Sequence, residues 1–255
     1  MISDFSGSIA LLLGGNCELA LETASLMIQS NVFPVLTYRS PKGLQDIRMK
    51  LSRYGNAYTV YECDLNRRKT IRTMFNRLDK NFDFLVDFSH GRLESLVASA
   101  DSDLVNAYVM ENIAARAEVI KTASRLMLKK KRGRLVYISS TAAETSNPGQ
   151  GFYAAAKLAS EALYRNTGIE LESRGITSRI LRPGYIDSGR GRQYLGKSNK
   201  RYRKKIERYG VLSCREVAES ILDLLTDDTE KNNAGIFEIN GKKGLRSIYD
   251  HIVKH

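Results

Sequence analysis

Ser140, Tyr153 and Lys157 are the residues of this 255-residue chain whose types and spacing could do chemistry. An isolated phenol titrates near pH ~10, too high for efficient proton exchange at neutrality. An ammonium one helical turn away changes that, because residues four apart share a helix face and a positive charge favours the phenolate. Tyr153-Ala-Ala-Ala-Lys157 supplies this spacing in an alanine-rich, helix-favouring context. Tyr153 could then give its proton to an oxygen that gains charge as hydride reaches the carbon bearing it. Ser140, closing the run Leu135-Val-Tyr-Ile-Ser-Ser140, could hydrogen-bond that oxygen. Together the three residues suggest carbonyl reduction. Tyr38 and Lys42 repeat the spacing, but Pro41 lies between them and no helix is there to align them.

The elements that must hold these residues follow from short apolar runs at Ile9–Leu13, Val32–Tyr38, Ala57–Glu62, Phe84–Phe88, Arg134–Ser139, Thr177–Arg182 and Gly235–Ile239. Helix-like stretches at Cys17–Gln29, Pro41–Tyr54, Arg68–Lys80, Asp103–Lys130, Tyr153–Arg174 and Cys214–Leu225 lie between most of them. Apolar strands without alternation, separated by helices, are what a parallel sheet covered on both faces requires. The pattern predicts an α/β fold with a doubly wound parallel sheet, one domain over residues 1–255, and a basic lid-like insertion at 187–212. In such a sheet ligands sit beyond the carboxyl ends of the strands, which is where Ser140 falls.

Composition narrows the partners. The net charge of +12 gathers at Arg190, Arg192, Lys197, Lys200, Arg201, Arg203, Lys204, Lys205 and Arg208, against Glu207 alone, with a second cluster at Lys129–Arg132. Such a surface suits an anionic substrate or an acidic partner. Tyr194, Tyr202 and Tyr209 are interleaved with these charges, but no nucleic-acid motif accompanies them, which leaves nucleic acid the weaker expectation. Cys17, Cys63 and Cys214 lack metal-ligand spacing and are expected as reduced thiols, with no metal site. Ile9–Leu13 is too short to span a bilayer, so a cytoplasmic protein that does not enter the membrane is expected. His90 is expected as a satisfied polar residue at a strand end rather than as a catalyst.

Ser140 thirteen residues before Tyr153, the pair Asn112-Ile113 in the long preceding helix, and the stretch Ser173–Ser188, whose strand runs into Pro183-Gly184, together resemble the short-chain dehydrogenase/reductase family over nearly the whole chain. Within the family the chain most resembles the β-ketoacyl-acyl-carrier-protein reductases. The resemblance implies a Rossmann-like fold in which Asn112, Ser140, Tyr153 and Lys157 are catalytic, with Asn112 holding a water that links the lysine to solvent. It also implies NADPH as cofactor. Gly14, Asn16, Cys17 and Leu19 would meet its diphosphate, Arg39 and Ser40 its 2′-phosphate, and Asp64 and Leu65 its adenine. Ser89 would lie beside the adenosine, and Tyr153, Lys157, Pro183, Gly184, Ile186 and Ser188 would border the nicotinamide.

Two family elements are altered here. The glycine pattern Gly-x-x-x-Gly-x-Gly aligns with Gly14, Glu18 and Ala20, and Asn-Asn-Ala-Gly becomes Asp87-Phe-Ser-His90. Glu18 either weakens cofactor affinity or turns its carboxylate out to solvent. The implied reaction is reduction of a 3-oxoacyl thioester, carried by an acidic acyl carrier protein, to its 3-hydroxyacyl product in fatty-acid or polyketide-type biosynthesis. Lys131 and Arg174 match the family's carrier contacts near the active-site entrance. The alternative is a catalytically weak subunit that partners an active homologue, against which the four retained catalytic positions argue. The family also implies an oligomer, homomeric or with a homologous subunit, paired through the helices at Asp103–Lys130 and Tyr153–Arg174. The tail Gly241–His255 departs from the family's short ending.

Overall fold

A computed structural model describes residues 6–78, 82–145, 147–195 and 200–249. The apolar runs become β1 (Ile9–Leu13), β2 (Phe33–Tyr38), β3 (Thr59–Glu62), β4 (Phe84–Asp87), β5 (Gly133–Ile138), β6 (Ile176–Pro183) and β7 (Ile236–Asn240). With β8 (Gly244–Tyr249) they form one sheet in the order β3-β2-β1-β4-β5-β6-β7-β8, parallel except for β8, which runs antiparallel to β7. The order reverses between β1 and β4, the switch point at which a doubly wound sheet opens a crevice for ligands.

Each central strand feeds two cores. Ala10 and Leu12 pack on one face with α1 (Glu18–Gln29) and α9 (Cys214–Thr226). Leu11 and Leu13 pack on the other with α3 (Arg68–Arg77), α5 (Ala115–Lys130) and α6 (Gly151–Leu171). Side chains alternate across a strand, so burial on both faces demands an unbroken apolar run. That is why these strands were visible in the sequence.

Some elements differ from expectation. The helix expected over Asp103–Lys130 is interrupted: α4 (Ser102–Val109) and α5 are joined by a π-helical turn at Met110–Ala114. Inside that turn the buried Asn112 accepts the Gly91 N–H at 2.8 Å and donates to the Tyr108 carbonyl at 2.9 Å. The stretch Pro41–Tyr54 divides into α2 (Pro41–Lys50) and a 3-10 turn at Ser52–Tyr54. The 187–212 segment contains two helices, α7 (Gly189–Leu195) and α8 (Lys200–Tyr209), while Lys197 lies outside the described residues. Strand β8 forms within the tail, where none was expected; Arg246 on it pairs with Glu238 across the hairpin at 2.9 Å.

Candidate active site

The trio converges at the carboxyl edge of the sheet. Ser140 directly follows β5 and its Oγ accepts the Ala142 N–H at 3.1 Å, while α6 presents Tyr153 in its first turn and Lys157 in the next. Lys157 is only 3% exposed; its Nζ donates to the Ile138 carbonyl at 2.7 Å and lies 5.8 Å from the Tyr153 ring centroid. The carbonyl bond fixes the ammonium beside the phenol. His90 packs its edge on Tyr153, with centroids 4.6 Å apart, and shares a 2.7 Å hydrogen bond between Nε2 and the Tyr108 hydroxyl. Nε2 of His90 is thus engaged, and the ring also touches the candidate proton donor, an adjacency that sequence reasoning missed.

Beneath the trio lie two buried ion pairs that the sequence did not announce. Asp87, at the end of β4, accepts from Arg116 Nε at 2.8 Å and from the Tyr164 hydroxyl at 3.0 Å on one oxygen, and from the Ser89 N–H at 2.8 Å on the other. Arg116 and Asp87 are both fully buried. Burial opposes the guanidinium's charge, but the field of Asp87 outweighs it and holds Arg116 above its ordinary pKa. The same arginine bonds to Ser89, to Ser160 Oγ and to the Asn112 carbonyl, so it ties β4, the π-helical turn and α6 together. Asp87 and Arg116 therefore brace the place where the family motif is altered. The Asn112 carbonyl accepts from Arg116 and lies 3.4 Å from Ser160 Oγ, whose shorter bond, 2.7 Å, goes to the Ala156 carbonyl. The second pair joins Arg182 to Glu161 by two bonds of 2.8 and 2.6 Å, and Glu161 also accepts from Ser139, the neighbour of Ser140. Burial pushes the Tyr137 and Tyr164 phenols up, which keeps both neutral, whereas the half-buried Tyr153 lines the groove beside the Lys157 ammonium.

A groove of about 1320 Å³ opens above these residues. Of the expected site residues, Asn16, Cys17, Leu19, Ser140, Tyr153, Lys157, Pro183, Gly184, Ile186 and Ser188 line it. Arg39, Ser40, Asp64, Leu65, Ser89 and Asn112 stand behind or beside that lining. Arg39 pairs with Glu111 at 3.2 Å, Ser40 caps α2 through the Gly43 N–H, and Asp64 holds Arg67 and the Asn66 N–H. Leu65 is buried and Ser89 is bound to Asp87. Lys131 and Arg174 come together, but each just precedes a strand, β5 or β6, so they sit at the amino edge of the sheet. A six-residue strand spans roughly 20 Å. The expected position of this basic pair, beside the groove entrance of its own chain, therefore does not hold.

The residues present fit a dinucleotide. Gly14 has φ of +70°, and a Cβ there would come within 2.9 Å of the Ser89 nitrogen. The loop presses against the end of β4, and the amino end of α1 faces the groove with no side chain from Gly14 in the way. Gly14→Ala should cost about 1–3 kcal/mol of stability through left-handed strain and this contact, read from the urea unfolding midpoint. Cys17 caps α1, its Sγ accepting the Ala20 N–H at 3.4 Å. Glu18 is turned toward the basic segment: Arg192 donates to its two oxygens at 3.1 and 2.9 Å, and the Gly189 N–H reaches it at 3.3 Å. Among the described residues no cluster of His, Cys, Asp and Glu could hold a metal, and no helix is long and apolar enough to cross a membrane.

Comparison with known proteins agrees with this arrangement. The chain is 26% identical over 237 residues to the 3-oxoacyl-[acyl-carrier-protein] reductase FabG of Buchnera aphidicola subsp. Baizongia pistaciae, covering 91% of this chain and 96% of the relative. Among solved structures it superposes on NAD+-bound xylitol dehydrogenase with a TM-score of 0.83 at 21% identity, covering 93% of this chain and 99% of the other. It superposes on ElxO with NADP bound with a TM-score of 0.81 at 20% identity, covering 91% and 96%. The short chain dehydrogenase family model matches residues 8–198, three quarters of a chain whose sheet order and groove are those described above, and the chain belongs to that family.

Proposed function

We propose that the chain is an NADPH-dependent ketoreductase that reduces a 3-oxoacyl thioester to the 3-hydroxyacyl product. The observation that carries this is the buried Lys157 ammonium, held by the Ile138 carbonyl beside Tyr153, with Ser140 on the same groove. When bound, the dinucleotide supplies the hydride. Tyr153 gives its hydroxyl proton to the carbonyl oxygen, and the neighbouring ammonium stabilises the phenolate left behind. Ser140 donates a hydrogen bond to the same oxygen as its charge grows. Ser140→Ala should therefore lower kcat about 10²-fold with little change in cofactor affinity, checked by steady-state kinetics beside a binding titration.

NADPH is favoured over NADH by Arg39 and Ser40, which follow β2 with no acid adjacent to them in the sequence. Arg39 is 61% exposed, and its single contact with the more buried Glu111 leaves the rest of the guanidinium open to a phosphate. A carrier-bound acyl group is favoured by the net charge of +12 and by exposed Arg203, Lys204 and Arg208 on α8, which ends at the groove-lining Tyr209. Exposed Leu104, Val109 and Met110 beside α5, and Leu158 and Ile169 on α6, support pairing of these helices with another copy. The test is an NADPH titration followed by turnover of 3-oxoacyl thioesters, free and carrier-bound. The expected result is NADPH oxidation with the carrier-bound substrate preferred at low salt; no binding and no oxidation would sink the proposal.

A further inference from the structure

Glu18 and Arg192 lie 174 residues apart in sequence and meet at the edge of the groove. Glu18 is the first residue of α1, where the helix dipole welcomes a carboxylate and would equally welcome a phosphate. Its two oxygens take both terminal nitrogens of Arg192, and the Gly189 N–H adds a third contact, so one carboxylate fastens the start of α7 to the start of α1. Asp187 steadies the other side of the guanidinium, accepting from Nε at 2.9 Å. The pair is exposed by about half on each partner. Exposed pairs are weak and readily exchanged.

A dinucleotide brings a diphosphate to the same helix end, where it meets the repulsion of Glu18 and the attraction of Arg192. The planar guanidinium fork fits a phosphate as well as it fits a carboxylate. We propose that Glu18 and Arg192 form an exchangeable latch: with no dinucleotide present the carboxylate holds the basic segment across the groove, and Arg192 transfers to the diphosphate when the dinucleotide enters. Arg192 thereby becomes a cofactor-binding residue and Glu18 its resident competitor. The proposal rests on the assignment of a dinucleotide to this groove.

The two residues must then act in opposite directions. Removing one negative charge a few ångströms from a diphosphate should tighten NADPH binding in Glu18→Ala roughly fivefold to tenfold. Arg192→Ala should weaken it by about tenfold in the Glu18→Ala background and by less in the wild type, where the guanidinium must first leave the carboxylate. Binding is read by nicotinamide fluorescence. Amide hydrogen exchange over residues 186–195, measured without NADPH, supplies a readout independent of the cofactor and should quicken several-fold in Glu18→Ala. If wild type binds NADPH and Glu18→Ala binds it equally or less well, the latch is overturned while the dinucleotide assignment stands. Unchanged exchange over 186–195 overturns the latch in the same way. Failure of both proteins to bind NADPH overturns the dinucleotide assignment and the exchange built on it.

Discussion

Tyr153→Phe is expected to reduce turnover of a 3-oxoacyl thioester by about 10³-fold while leaving NADPH affinity and thermal stability close to wild type. The substitution removes one oxygen and keeps the ring. The edge contact with His90 and the approach of the Lys157 ammonium to the ring both survive. A merely structural tyrosine would show its loss in stability. A proton donor shows it in kcat alone, followed as loss of reduced-nicotinamide absorbance and compared with a fluorescence titration and a melting curve. Retention of more than a tenth of the activity would move the donor elsewhere, with His90 the first group to test, since its ring centroid lies 4.6 Å from that of Tyr153.

The largest effect on stability is expected from Asp87→Ala. It would leave the Arg116 guanidinium fully buried and without its carboxylate, a situation that typically costs about 3–5 kcal/mol. For a chain of this length that corresponds to a melting temperature lower by roughly 10 °C. The hydroxyl of Tyr164 and the N–H of Ser89 would lose their acceptor as well. Replacing both partners, Asp87→Asn with Arg116→Met, should recover much of the loss, because the cost lies in the uncompensated charge rather than in the absence of an ion pair. Urea unfolding of the single and double variants separates these outcomes. Equal destabilisation by both would show that the hydrogen bonds, rather than the charge, carry the stability.

How much of this was legible in the sequence depended on the kind of interaction. Six of the seven strands could be seen because their residues are mostly buried, which writes itself as apolar runs such as Ile9–Leu13, whereas β3 lies part-exposed at the sheet edge. The spacing of Tyr153 and Lys157 was legible because helical periodicity alone puts the two on one face. Pairings between distant charges were not legible. Arg116 follows Asp87 by 29 residues and Arg182 follows Glu161 by 21, and nothing local says which acid meets which base inside a fold. Glu18 was noticed as an acid in the glycine loop, but its partner on α7 could not be named from the sequence. Lys131 and Arg174 show a different gap: the resemblance supplied their positions, whereas strand direction decides which edge they occupy. That signal was present, since both residues precede strands whose far ends carry the site. Strand β8 escaped because Leu245-Arg-Ser-Ile-Tyr has neither a continuous apolar run nor a clean alternation.

That last strand changes how the molecule can be extended. Without it, the sheet would end at β7 with a row of unpaired N–H and C=O groups, open to any chain that could lie alongside. The hairpin spends those groups within the molecule and hands the border to a short segment from the same chain, anchored across by Arg246 and Glu238. A neighbour that lengthened the sheet would have to build on this hairpin and not on the parallel array that shapes the groove. Growth of an assembly at this border is thereby separated from the strands on which the chemistry depends.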